Sequence, residues 1–273
     1  MKSEHKTILH NIRSIFISDV HLGTAFCEHE KLFNFLKSLE DAQGHYPKTL
    51  EYVYLVGDII DLTNCNITLL FNKHRNILKK IFRLSDKGVT VIFIPGNHDY
   101  YFRHEHNSLL FQDKFKIVNK IIHTTVSGNK WLLTHGDQFD TAIQLIPFAY
   151  TIGDFALNFG YCLSKWISWI RKRLHYKTDF SLVYFLKSRI KNIIQYISSY
   201  SALLIKEAEE VGAYGIICGH IHRAELKSIK GKNRDIVYAN CGCWTEPGQE
   251  TFLVETLMGD IELHNYNEWI FKK

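Results

Sequence analysis

The sequence predicts an α/β fold, with a largely parallel or mixed sheet flanked by helices. Two observations carry that expectation. Between Arg13 and Ile94, short apolar runs alternate with helical patterns. Each run also ends in polar residues, at the strand ends where open α/β sheets bind ligands. A long helical tract, from about Phe139 to Val211, interrupts the pattern before strands resume at Tyr214.

Taken in order, Arg13–Ser18 reads as a buried strand. From Glu28 to Leu39, the residues Leu32, Phe33, Phe35, Leu36 and Leu39 recur at helical spacing, and Gly44 closes the segment. Tyr52–Val56 is a second strand ending in Gly57-Asp58, followed by one helix from Leu69 to Phe82 that ends near Gly88. Val89–Ile94 is a third strand, running into Pro95-Gly96-Asn97-His98-Asp99. Strands follow at Phe115–Val118, Ile121–Thr125 and Lys130–Thr134, the last ending in His135-Gly136-Asp137. After the helical tract, Tyr214–Cys218 stops at Gly219-His220-Ile221-His222-Arg223. Short strands near Leu226–Ile229, Asp235–Ala239, Thr251–Glu255 and Ile261–His264 complete the chain.

At 273 residues the chain can bury a sizeable core, and its apolar share of 46% indicates neither disorder nor a fibrous repeat. Six cysteines show no disulfide-framework spacing, and Met1 to Asn11 is too polar for the apolar core of a signal peptide. Reduced thiols in a cytosolic protein are expected. The stretch Thr141–Tyr161 is interrupted by Gln144, Pro147, Asp154 and Asn158, which makes it a poor membrane span.

The chemistry starts at Ser18-Asp19-Val20-His21-Leu22-Gly23. Asp19 and His21, two apart, project to one side of the strand end, where a turn can aim both at one point. A point with oxygen and nitrogen donors suits Mn, Fe or Zn better than Ca. A single D-x-H means little, but four strand ends carry D-x-H, G-D, G-N-H-D and H-G-D, and a fifth carries G-H-x-H. Together these motifs resemble the calcineurin-like metallophosphoesterases, whose set they match in order over three quarters of the chain. The resemblance implies a four-layer α/β/β/α sandwich with a helical lid insertion. It implies a core of residues 1–138 and 212–273, and a lid of residues 139–211 within the same domain.

The resemblance also implies a metal set. One divalent cation falls to Asp19, His21, Asp58 and His222. The other falls to Asp58, Asn97, His135 and His220, with Asp58 bridging. Mn2+ is the expected metal. His98 is assigned to protonating the leaving group or to stabilising charge on phosphate, and Asp99 to orienting His98. Asp61, Asp137 and Arg223 are expected to support ligands or touch phosphate. Asn97, Arg103 and Arg223 are the candidate polar contacts to substrate. Cys241 and Cys243 receive no role.

In the helical tract, Phe148, Ile152, Phe155, Ala156 and Phe159 recur at helical spacing. Interleaved are Lys165, Arg171, Lys172, Arg173, Lys177, Lys187, Arg189 and Lys191, opposed by Asp179. Such a face suits an anionic membrane surface or a lipid cavity, or it packs on the sheet with its cations solvated. No recognisable nucleic-acid module accompanies it, so no nucleic-acid partner is expected.

Within the superfamily, the chain is similar to the UDP-2,3-diacylglucosamine pyrophosphatases, which carry a helical lid at this place. Asn240-Cys241-Gly242-Cys243-Trp244 resembles their N-x-G-x-W region. It departs from their best-known branch at His98, where that branch has Arg and a second group keeps His. The resemblance implies hydrolysis of a UDP-linked acylated sugar at the cytoplasmic face of the inner membrane. Phe148, Ile152 and Phe155 would then meet the acyl chains. A phosphoesterase for a soluble nucleotide or phosphodiester, and a non-catalytic scaffold on the same fold, are the alternatives.

Overall fold

The structure is a computed structural model, and it describes residues 11–43, 49–63, 67–104, 114–140 and 182–271. The chain falls into two compact units, Met1–Asp137 with Leu204–Lys273 and, separately, Gln138–Leu203.

The first unit is built on two sheets. Strands β1 (Ile12–Ile17), β2 (Tyr52–Val56), β3 (Thr90–Ile94) and β4 (Phe115–Ile117) pair in parallel. In the second sheet β5 (Lys120–Thr124) runs antiparallel to β6 (Lys130–Thr134), which is parallel to β7 (Gly215–Cys218). Then β8 (Glu225–Lys230) pairs antiparallel with β9 (Asp235–Asn240), which is itself parallel to β7. Strands β10 (Thr251–Thr256) and β11 (Ile261–Asn265) return to the first sheet, antiparallel on the free side of β1. The orders are β11-β10-β1-β2-β3-β4 and β5-β6-β7-β9-β8.

The apolar runs are continuous because both faces of the first sheet are covered. Alternation sends Ile15, Ile17, Val53, Leu55, Val91 and Phe93 to one core, shared with helices α1 (His29–Ala42) and α3 (Arg75–Asp86). The alternate residues Phe16, Tyr54, Val56, Ile92 and Ile94 meet Trp131, Leu133, Ile217 and Ala239 between the sheets. Behind the second sheet lie the last turns of helix α4 (Leu182–Glu210), where Leu204, Ile205 and Ala208 are buried. Lys120 pairs with Glu207 at 2.9 Å, and Glu209 accepts the Asn233 amide at 3.0 Å. The expected sandwich is therefore the observed one.

Two expectations need correction. The single helix from Leu69 to Phe82 is divided into α2 (Ile67–Lys73) and α3, with His74 at φ −106° and ψ 18° between them. The run Asn72-Lys73-His74-Arg75-Asn76 has no apolar residue to carry a stripe through the joint. A terminal helix, α5 (Tyr266–Phe271), was not expected. It forms because Trp269 packs 5.3 Å from Phe35 and 5.7 Å from Phe252, completing an aromatic cluster with Trp244. In the second unit the described residues are 138–140 and 182–203, where the Tyr196 hydroxyl donates to Asp140 at 3.1 Å. Phe148, Ile152, Phe155 and the basic residues from Lys165 to Lys177 lie outside the described residues.

The sheets are also joined by a buried polar group. Glu255 on β10 accepts from Ser14 on β1, from Arg13 at 2.9 Å, from His123 on β5 at 2.9 Å and from the Val126 amide at 2.9 Å. The other nitrogen of His123 meets the Tyr54 hydroxyl at 2.8 Å. Burial pushes the Glu255 carboxyl up, but the His123 and Ser14 hydrogen bonds outweigh it and hold the group at about 2, below its ordinary 4.5. Such a group contributes stability above pH 4.5 that is lost as pH falls from there through about 2. Glu255→Gln removes the charge that its four donors face and should lower the unfolding free energy by ~2 kcal/mol at pH 7. It should also flatten the acid limb of the stability profile, measured by urea unfolding across pH. A variant as stable and as acid-sensitive as the parent contradicts this role.

Candidate dimetal centre

Every strand end that carries a candidate ligand opens on the same edge of the sandwich. Among the described residues, the non-glycine positions with positive φ are Asp19 (51°), His21 (50°), Asp58 (52°), His220 (71°) and His222 (53°). All five are expected metal ligands. A left-handed residue with a side chain is strained by ~1–2 kcal/mol, so the surroundings must hold each one. They do so through backbone bonds between loops. The Asp19 amide donates to Gly57 O at 3.0 Å, the Val20 and His21 amides to Asp58 O at 2.9 Å, and the Gly219 amide to His135 O at 3.1 Å.

Two glycines make the close approach possible. At Gly57, itself at φ 82°, an added Cβ would stand 2.1 Å from His135 Nδ1. At Gly219 it would stand 2.4 Å from Asp19 Oδ2. The glycines of the G-D and G-H-x-H motifs thus leave room for the ligands of neighbouring loops.

The ligand atoms are held by their far sides. Asp19 Oδ2 accepts from Ser18 Oγ at 2.6 Å and from the His220 amide at 2.9 Å. Its Oδ1 is buried without a hydrogen-bond partner and faces His222 Nε2 at 3.2 Å. His135 Nδ1 donates to Val56 O at 2.9 Å, which leaves Nε2 as the coordinating nitrogen, 3.3 Å from Asp58 Oδ2. The same Asp58 oxygen lies 3.8 Å from His21 Nε2, while Oδ1 accepts the His98 amide at 2.8 Å. His21 and His222 bring their Nε2 atoms to 3.2 Å. The donors fall into three overlapping groups: Asp19, His21 and His222; His21, Asp58 and His98; and Asp58, His135 and His220.

The electrostatics call for cations. Burial raises the Asp19 and Asp58 carboxyls, yet the facing imidazoles His222 and His135 bring both below the ordinary carboxylate range. Burial lowers His135 and His222, but the Asp58 and Asp19 carboxylates they face raise each to about 10. His21 is lowered, chiefly by burial. A metal at either place would take the position of the imidazole proton, so metal binding there competes with protonation. The imidazoles of His21, His135, His220 and His222 with the carboxylates of Asp58 and Asp19, the latter with a buried oxygen that has no hydrogen-bond partner, fit two borderline divalent cations such as Mn, Fe or Zn.

The remaining expected residues are placed as follows. His98 is partly exposed, its Nδ1 3.0 Å from Asp61 Oδ2 and 3.2 Å from Thr63 Oγ1. Asp61 also reaches His21 Nδ1 at 3.3 Å. The expectation that Asp99 orients His98 is therefore corrected, since Asp61 takes that place. The Asp99 carboxylate is fully buried and accepts the amides of Asp58 at 3.3 Å, Ile59 at 2.8 Å, Ile60 at 3.2 Å and Gly96. It pins the loops after β2 and β3 together, and burial beside Asp58 raises it to about 7. Arg103, expected on substrate, is corrected too: its guanidinium bonds Pro95 O and Asp137. Asn97 and Arg223 are exposed and remain proposed contacts. Sequence reasoning gave no role to Cys243, whose thiol is raised by burial but lowered overall by the nearby His222, and it missed Ser18. The hydroxyl next to Asp19 was the available signal for Ser18.

This edge of the sandwich gathers the donors that a metal-dependent phosphoesterase uses. The family model of the calcineurin-like phosphoesterases matches residues 12–224, and the chain belongs to that family, whose members are dimetal-dependent hydrolases of phosphate esters or anhydrides. Two proteins named UDP-2,3-diacylglucosamine hydrolase are similar to it. One, from Neisseria gonorrhoeae, is 30% identical over 131 residues, covering 47% of this chain and 50% of the relative. Another, from Neisseria meningitidis serogroup C, is 27% identical over 235 residues, covering 81% and 87%. The chain thus spans half of the first and most of the second. The structure of an archaeal phosphodiesterase shares 14% identity at a TM-score of 0.45, covering 92% of this chain and 98% of that one.

Asp99→Asn turns a carboxylate oxygen into an amide group that faces backbone donors. It should lower stability by ~2 kcal/mol in chemical denaturation. Unchanged stability with a lowered kcat would return Asp99 to His98.

Proposed function

We propose that the chain hydrolyses the pyrophosphate of a UDP-linked acylated sugar, converting UDP-2,3-diacylglucosamine to UMP and 2,3-diacylglucosamine 1-phosphate. The observation that carries the dimetal part is Asp58 Oδ2, placed between His135 Nε2 and His21 Nε2 at 3.3 and 3.8 Å. The lipid-linked part is supported by the relatives' names and by the aromatic and basic pattern of the helical tract.

In this reading Asp19, His21, Asp58 and His222 hold one metal, and Asp58, Asn97, His135 and His220 hold the other, with Mn2+ in both. Bound there, two such cations would supply Lewis-acid polarisation of a phosphoryl oxygen and a water nucleophile at neutral pH. His98, partly exposed and backed by Asp61, protonates the leaving group or stabilises charge on the phosphate. Arg223 contacts phosphate. The tract 139–211 supplies Phe148, Ile152 and Phe155 as the contacts to the acyl chains. Burial at ~0.8 kcal/mol per CH₂ gives much of the substrate affinity. The lid's cations meet an anionic membrane surface at the cytoplasmic face of the inner membrane. No helix among the described residues is long and apolar enough to cross a membrane.

Incubation with UDP-2,3-diacylglucosamine and Mn2+ should release UMP, and Asn97→Ala should abolish that release. No UMP, with turnover of bis-p-nitrophenyl phosphate intact, keeps the phosphoesterase and removes the lipid-linked substrate.

A further inference from the structure

Arg103 ends the short turn Tyr100–Arg103 that follows Asp99. Its Nη2 donates to both oxygens of Asp137 at 2.7 and 2.8 Å, and to Pro95 O at 2.7 Å, with Nε reaching the same carbonyl at 3.2 Å. The guanidinium also lies 5.3 Å from the Tyr100 ring. One planar group therefore joins the residue before Gly96-Asn97 to the residue two beyond His135. Asn97 and His135 belong to the same metal position. Of the other position's ligands, Asp19 and His21 are held instead by Ser18 and by the backbone of the β2 loop.

We propose that the Arg103–Asp137 ion pair is a positioning device for one metal only. It fixes the spacing between the Asn97 and His135 loops, and so sets the affinity of the metal between them without touching the other. The inference rests on the dimetal reading above. A rigid fork suits the task, because it bonds a carboxylate and a carbonyl in one plane, which an ammonium cannot. The pair is partly buried, with side-chain exposures of 21% and 9%, so little water competes for it.

An alternative without geometry predicts a different pattern. The Asp137 charge acts on His135 from nearby. If charge alone mattered, Arg103→Gln would strengthen metal binding and Asp137→Asn would weaken it. Positioning predicts the same sign for both.

The test is Mn2+ binding to the full chain by equilibrium dialysis, with the two steps assigned through His222→Ala and His135→Ala. Arg103→Gln and Asp137→Asn should each weaken the His135 step by about 10–100-fold, the range for groups that orient ligands, and leave the His222 step unchanged. The double variant should bind no more weakly than either single one. Arg103→Lys keeps the charge without the fork and should fall between, which covers the case of a poorly folding Arg103→Gln. Opposite signs, equal weakening of both steps, or wild-type affinities in folded variants overturn the proposal. Fewer than two sites in the parent chain overturn the dimetal reading and this inference with it.

Discussion

One residue, Asp58, connects nearly everything at this edge of the molecule. Its carbonyl takes the amides of Val20 and His21, its amide donates to Asp99, and one carboxylate oxygen takes the amide of His98. The other oxygen then has a single direction left, between His135 and His21. That direction requires a left-handed backbone at Asp58 and a residue without a side chain before it. The strain is held because the loops after β1 and β3 both bond to the same turn, which is also why the turn can aim the carboxylate at both imidazoles.

The rest of the fold follows from the need to bring five strand ends together. Parallel pairing within each sheet collects the C-terminal ends of β1, β2 and β3 on one sheet and of β6 and β7 on the other. Face-to-face packing of Phe16, Tyr54 and Ile92 on Trp131, Leu133 and Ile217 then sets the two groups opposite each other. At the far end of the same strands, Glu255 joins the sheets through Ser14 and His123. An apolar interface resists separation but has little to say about sliding. Directional bonds at the end remote from the metals supply that restraint.

Much of this was legible in the chain. The strands after which Asp19, Asp58, His135 and His220 stand were visible as apolar runs cut off by glycine and polar residues. The clustering of those residues was legible because several strand ends repeated one arrangement. The partners of Asp99 and Arg103 were not. A carboxylate next to an imidazole in sequence reads as its support, whereas a buried Asp99 facing four amides depends on how two loops cross. Arg103, close after the G-N-H-D motif, reads as a substrate contact, and only the folded loop shows Pro95 O and Asp137 within its reach. Helix α5 escaped because six residues carry too little periodicity, and its stability comes from Phe35 and Phe252 elsewhere in the chain. The break at His74 lay in a polar pentapeptide where no pattern could register it.

The central claim is that Asp58 bridges two metals. Anomalous diffraction from crystals grown with Mn2+ tests it most directly. The account predicts two peaks ~3.5–4 Å apart on either side of Asp58 Oδ2, one among Asp19, His21 and His222 and one beside His135 and His220. A single peak, or two peaks with Asp58 bound to only one, would contradict it.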